Sequence, residues 1–158
     1  TVHMGLAQTI STEVKLLEQR WPMGLPEGLI HADLFPDNVF FMNGRVSGVF
    51  DFYFACNDAL AYDIAVALNA WCFDRDWRFD RARAGEFFKQ YQSIREFSAE
   101  EKLHLPILAR GAALRFLLTR AYDAIHTPPG ALVTVKDPKE YVAKLLFHQG
   151  IQAFSEYC

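Results

Sequence analysis

The stretch His31-Ala32-Asp33-Leu34-Phe35-Pro36-Asp37-Asn38 and, thirteen positions after its asparagine, Asp51 have the residue types and spacing that move a phosphoryl group. Such a transfer asks little covalent chemistry of a protein; it needs an acceptor hydroxyl held in line and divalent metal bridging the nucleotide phosphates. Asp33 suits the first task, orienting the hydroxyl and accepting its proton. Asn38 and Asp51 offer the hard oxygen ligands that Mg²⁺ takes. His31 reads as a core histidine that hydrogen-bonds the loop backbone, because the base position belongs to the Asp two residues later. Asp37 follows a proline and reads as a turn residue outside the metal set.

Short elements must position these residues. Residues 29–31, 39–42 and 45–50 read as strands, the last two joined at Asn43-Gly44, a pair suited to the left-handed conformations of a tight hairpin turn. That hairpin predicts Asn38 and Asp51 close together at its open end. Upstream, Ile10, Val14, Leu17 and Trp21 recur at helical spacing over residues 7–21, with Ser11 or Thr12 near the start and Pro22 and Pro26 beyond the end. Downstream the pattern turns helical over residues 60–73 and 81–97. Ser98-Ala-Glu-Glu101 is a capping box opening the next helix, in which Pro106 should sit near the first turns or introduce a kink, so that residues 99–125 read as two helical stretches. A loop at 127–130 and a last helix from Pro138 to about Ser155 complete the chain. The fold class is α+β, mostly α.

The chain of 158 residues suffices for one domain with a substantial core, and a hydrophobic fraction of 51% excludes a disordered tail. A net charge of −3 gives no electrostatic case for nucleic acid or an anionic membrane. The partner it suggests is a small molecule with a metal. Cys56, Cys72 and Cys158 form no metal-binding spacing and point to reduced thiols in a cytoplasmic protein. No apolar run is long enough to span a bilayer.

The catalytic stretch, read as His-x-Asp-x-x-x-x-Asn, resembles the aminoglycoside phosphotransferase and choline kinase family, relatives of the protein kinases. Ala32 stands where protein kinases carry Arg, and Asp51-Phe52-Tyr53 lacks the glycine of their Asp-Phe-Gly motif. Both departures argue for a small-molecule kinase without an activation-loop switch. Within the family the sequence is most similar to the homoserine kinase branch. The residues that carry this are 28–41, 48–65 and 68–73, then Arg110-Gly-Ala-Ala-Leu-Arg-Phe-Leu-Leu-Thr-Arg120 and Lys136-Asp-Pro138.

The resemblance implies a protein-kinase-like C-terminal lobe, ATP and Mg²⁺ as cofactors, and L-homoserine as the acceptor. It also implies that Asp63 supports the catalytic loop. No glycine-rich loop followed by a strand Lys precedes His31, so the sequence reads as the C-terminal lobe without its N-terminal nucleotide lobe. Within it, 1–26 is a leading helix and loop, 27–58 the catalytic loop and metal-binding hairpin, and 59–158 the helical part. Part of the phenylalanine surplus, fourteen in all, is expected to line the face that the other lobe covers.

An amino-acid acceptor adds its own demands. Its carboxylate calls for Arg, which can grip it with two parallel hydrogen bonds, and its ammonium for Asp, Asn or carbonyl oxygen. Arg115 and Arg120 sit in an apolar helix, where a charge is either paired or reaches out to water; Arg115 is the better candidate because more apolar residues flank it. Tyr53, Asn57 and Asp58 follow the metal Asp within reach of an acceptor, and Phe40 and Phe50 suit the underside of an adenine. The alternatives are another acceptor of the same family, such as an aminoglycoside, choline or a sugar alcohol, and a binding lobe without catalysis.

Overall fold

The computed structural model describes residues 2–128, 130, 132 and 135–158, with side chains from residue 5 onward. In chain order the elements are α1 (Val2–Arg20), β1 (Glu27–Ile30), β2 (Val39–Met42), β3 (Arg45–Val49), β4 (Cys56–Ala59), α2 (Leu60–Trp71), α3 (Arg81–Gln92), α4 (Ala99–His126) and α5 (Lys139–Gln149). Single 3₁₀ turns sit at Pro36–Asn38, Phe52–Phe54 and Phe154–Tyr157.

The core lies where α2 and α5 pack on α4. Alanines dominate the meeting of α2 and α4: Ala61, Ala65, Ala109, Ala112 and Ala113 are all fully buried, and such short side chains let two helix backbones approach closely. Asn69 shows how close they come, since its Nδ2 donates both to Ala65 O at 3.0 Å and to Ala109 O at 3.1 Å across the interface. Leu68, Leu105, Leu108, Leu117 and Leu145 fill the remaining space, each worth roughly 1.5–3 kcal/mol on burial. Trp21, just past α1, lies over Gly111, where any Cβ would meet its ring at 2.3 Å.

Two buried polar sets lock the helices in register. Glu13 of α1 accepts from Nε and Nη2 of Arg110 at 2.6 and 2.7 Å, and from Gln149 at 2.8 Å. In the second set Asn69 Oδ1 can only accept, so His148 donates to it through Nε2 and receives the Tyr157 hydroxyl on Nδ1. Complete burial pushes the His148 imidazole down to about 3, so it stays neutral.

The hairpin β2–β3 forms with Asn43 and Gly44 both left-handed, as the turn chemistry predicts, and a bulge at Phe40/Phe41 twists it. Other expectations need correction. Helix α1 runs from Val2, and Ser11 and Thr12 lie in its interior. Helix α3 stops at Gln92 rather than 97, because Ser98 must be extended to cap the next helix while Arg95 swings to Glu101 at 2.7 Å. Pro106 does not divide α4, a single helix of 28 residues; the proline is buried, and packing on α2 and α5 carries the helix through the missing hydrogen bond. Helix α5 ends at Gln149, which frees the chain to bury Ile151 and to return Tyr157 to His148. Finally, β1 pairs with β4, a strand absent from the sequence reading, and Asn57 and Asp58 lie in it. The expected loop at 127–130 lies partly outside the described residues.

Candidate active site

The catalytic stretch leaves β1 and is tied down at each step. Asp63, in the first turn of α2, accepts from the backbone N–H of His31 at 3.1 Å and of Ala32 at 2.8 Å. Ala32 sits at φ 59°, a left-handed conformation that a non-glycine residue holds only when its surroundings impose it. Its carbonyl is held too, by Arg115 Nη1 at 2.5 Å. One strained residue is thus clamped from α2 and from α4. His31 is buried; its Nε2 donates to Phe50 O at 2.9 Å and its Nδ1 receives the N–H of Asp33 at 3.3 Å. Further along, the Trp71 indole donates to Leu34 O at 2.7 Å.

Asn38 is buried and gives its Nδ2 to Asp33 O at 2.8 Å and to Asp33 Oδ2 at 3.1 Å. These bonds occupy the amide nitrogen and leave Oδ1 without a hydrogen-bond partner among the described residues. The hairpin brings the other acid back as expected: Phe50 N donates to Asn38 O at 3.1 Å, and Asp51 follows at φ 62°, a second left-handed non-glycine. Burial raises the Asp33 pKa, and nearby Asp51 adds to this, against the lowering pull of Arg115 and of the Asn38 hydrogen bond. A carboxyl raised in this way is a better proton acceptor than an ordinary aspartate. Among the described residues no three His, Cys, Asp or Glu side chains gather as a metal site. Asn38 and Asp51 offer two oxygen-bearing side chains at the open end of the hairpin, a donor set short of a complete metal cage.

A cleft of about 280 Å³ opens beside Asp33 and Asn38, walled by Phe116, Arg120 and Asp123 of α4 and by Lys136. Phe40, Phe50, Tyr53, Asn57, Asp58 and Arg115 are not among its lining residues. Phe40 and Phe50 stack on each other with centroids 4.6 Å apart on the hairpin surface. Tyr53 points to solvent at 85% exposure. Asn57 donates to Glu27, and Asp58 accepts from the N–H of Ala59. Arg115 lies between the rings of Phe54 and Phe116 while it holds Ala32. Arg120 is buried against Glu140 at 2.5 Å with its guanidinium over Tyr141. Burial alone would raise Glu140, but hydrogen bonds from Lys144 and Arg120 outweigh it and hold its carboxyl low. Asp123 had no local signal as a cleft residue, because only the packing of α4 beside the loop brings it to the cleft, and Lys136 stood out only within the motif Lys136-Asp-Pro138, without a role.

The sequence matches the model of the phosphotransferase enzyme family over residues 5–97, more than half of the chain. The chain belongs to the phosphotransferase enzyme family. The homoserine kinase of Sinorhizobium medicae is 56% identical over 156 residues, which cover 99% of this chain and 48% of that protein. Those of Paramagnetospirillum magneticum and Afipia carboxidovorans are 57% and 55% identical, again over 99% of this chain and over 50% and 48% of theirs. The chain therefore spans about half the length of the curated relatives it matches. Its helical body with two small antiparallel sheets is that of a kinase-like C-terminal lobe. No helix among the described residues is long and apolar enough to cross a membrane.

Proposed function

We propose that this chain is the C-terminal part of an ATP-dependent homoserine kinase, which makes O-phospho-L-homoserine for threonine biosynthesis in the cytoplasm. The observation that carries the reading is the clasp of Asn38 on Asp33, set on a strained loop that Asp63 and Arg115 hold. It pre-orients a base and a metal ligand on one short segment, as phosphoryl transfer requires. The names of relatives more than half identical over nearly the whole chain support L-homoserine as the acceptor.

Asp33 orients the homoserine hydroxyl and takes its proton. As the hydroxyl oxygen bonds to the γ-phosphorus, the bond from that phosphorus to the bridging oxygen breaks and ADP leaves. Asn38 Oδ1 and the Asp51 carboxylate fit Mg²⁺, which supplies charge neutralisation at the phosphates when bound. Arg115 positions the loop through Ala32. The stacked Phe40 and Phe50 offer an apolar platform for the adenine, and the exposed Phe41, Phe52 and Phe54 continue the face that a nucleotide lobe would cover. The three cysteines are free, in keeping with a reducing compartment.

The size and mixed charge of the cleft favour an amino acid over an aminoglycoside. At about 280 Å³ it lies below the usual range for drug-sized ligands, roughly 300–1,000 Å³, and its wall mixes Arg120 and Lys136 with Asp33, Asp37 and Asp123, which suits a small ligand bearing both charges. The test is Mg²⁺-dependent ADP release with L-homoserine, run on this chain and on a polypeptide of the full length of its relatives. Activity in the longer protein alone supports the reading. A folded, ATP-binding longer protein that ignores L-homoserine defeats it in favour of another hydroxylated acceptor.

A further inference from the structure

Charges of both signs line the cleft beside Asp33. Arg120 uses only Nη1, toward Glu140 at 2.5 Å and Asp137 O at 3.4 Å, which leaves Nε and Nη2 without a partner among the described residues. Glu140 is also claimed by Lys144 at 2.5 Å. Two cations thus share one carboxylate behind this wall, an excess of positive charge that an anion in the cleft would balance. Lys136 adds a second cation; its partner there is the exposed Asp37 at 3.0 Å, a surface pair weak enough to give way to a ligand.

Asp123 supplies the opposite sign. It stands one turn beyond Arg120 on α4, lines the same cleft, and makes no ion pair among the described residues. Tyr141, packed on Phe116 of the cleft wall, carries the one buried side-chain polar atom without a partner among the described residues. Its hydroxyl feels the charges of Arg120, Asp33 and Arg115, so the ground behind the cleft is polar and incompletely satisfied.

We propose that this cleft is the acceptor site and that it reads an α-amino acid by its two charges: Arg120 and Lys136 hold the carboxylate, Asp123 holds the ammonium, and Asp33 meets the side-chain hydroxyl. This rests on the kinase reading above and moves acceptor recognition off Arg115, Asn57 and Asp58. A neutral polyol would leave Asp123 without a partner and offer no charge to Arg120 and Lys136, whereas a zwitterion meets both signs, so the arrangement favours a zwitterion.

The test uses the full-length enzyme with L-homoserine as substrate and two competitors. 4-Hydroxybutyrate lacks the ammonium, and 3-aminopropan-1-ol lacks the carboxylate. Asp123→Asn should raise the KM for L-homoserine by roughly tenfold or more, the effect of losing a charged hydrogen-bond partner, with little change in the inhibition constant of 4-hydroxybutyrate. Lys136→Met should raise it likewise while sparing 3-aminopropan-1-ol. Both residues are exposed enough for substitution without loss of fold. Equal shifts for all three compounds, or none in either variant, with an active wild type, would overturn the cleft assignment alone. A wild-type enzyme inert toward L-homoserine would overturn this assignment together with the kinase reading.

Discussion

The helical body and the β-side of this chain solve different problems. In the body, α2, α4 and α5 bury alanines and leucines completely and gather most of their internal polar groups in closed sets, Glu13 with Arg110 and Asn69 with His148 and Tyr157, the Tyr141 hydroxyl being the exception among the described residues. On the β-side, two-stranded sheets leave Leu29, Phe40, Phe41 and Met42 more than half exposed. Two strands are marginal on their own. The proposed catalytic residues nevertheless sit there, and two of the positions, Ala32 and Asp51, hold left-handed conformations. What makes this possible is a set of tethers from the body: Asp63 and Trp71 of α2 and Arg115 of α4 bind backbone groups of His31, Ala32 and Leu34. The body supplies rigidity, and the loop uses it to hold strain.

The sharpest break in that division is Asp33→Asn in the full-length enzyme. Turnover should fall by about 10²–10⁴-fold, the usual contribution of a positioned base, with nucleotide affinity little changed. Survival of turnover would remove Asp33 from the base role. Next comes the body itself: Leu68→Ala should lower stability by about 2–5 kcal/mol in urea unfolding while leaving kcat nearly intact at temperatures where the protein stays folded. Asp63→Ala tests the tether between the two regions. It strands two backbone N–H groups, at about 1–3 kcal/mol each, and should lower kcat more than the KM for ATP, because the loop relaxes out of its strained form.

Two smaller effects sharpen the contrast. His148 is held neutral down to about 3 in the folded body, whereas in the unfolded chain it titrates near about 6.5. The unfolded state binds the extra proton between these values. The contribution is therefore intact above about pH 6.5 and is lost as pH falls toward the folded value, at up to about 1.4 kcal/mol per pH unit. Urea midpoints at neutral pH and at two units below should show that loss, and His148→Gln should flatten it. Least of all, Phe40→Ala on the exposed hairpin should change stability by under about 1 kcal/mol and register instead in the KM for ATP.

Much of the β-side was legible because its signals are local. Asn43-Gly44 chooses its own turn, that turn fixes the hairpin register, and the register returns Asp51 to Asn38. The capping box at Ser98 and Glu101 is local in the same sense and forms as read. The strand containing Asn57 and Asp58 gave no such signal, because these residues disfavour strands and only backbone pairing with β1 recruits them. Pro106 misled for the opposite reason: its local preference is to break a helix, and burial against two neighbours overrides it.

The sequence by itself determined the class of chemistry, the candidate base and metal pair, the hairpin that joins them, and the branch of the family it resembles, since each is written in adjacent residues or short spacings. Only the tertiary structure decided what holds the loop and what faces it. Arg115 stands 83 positions from the carbonyl it clamps, and Lys136 stands 99 positions from the Asp37 it pairs with at the cleft. No periodicity along the chain encodes such distances. They follow from how α4 packs across the body, which is a property of the whole core rather than of any segment in it.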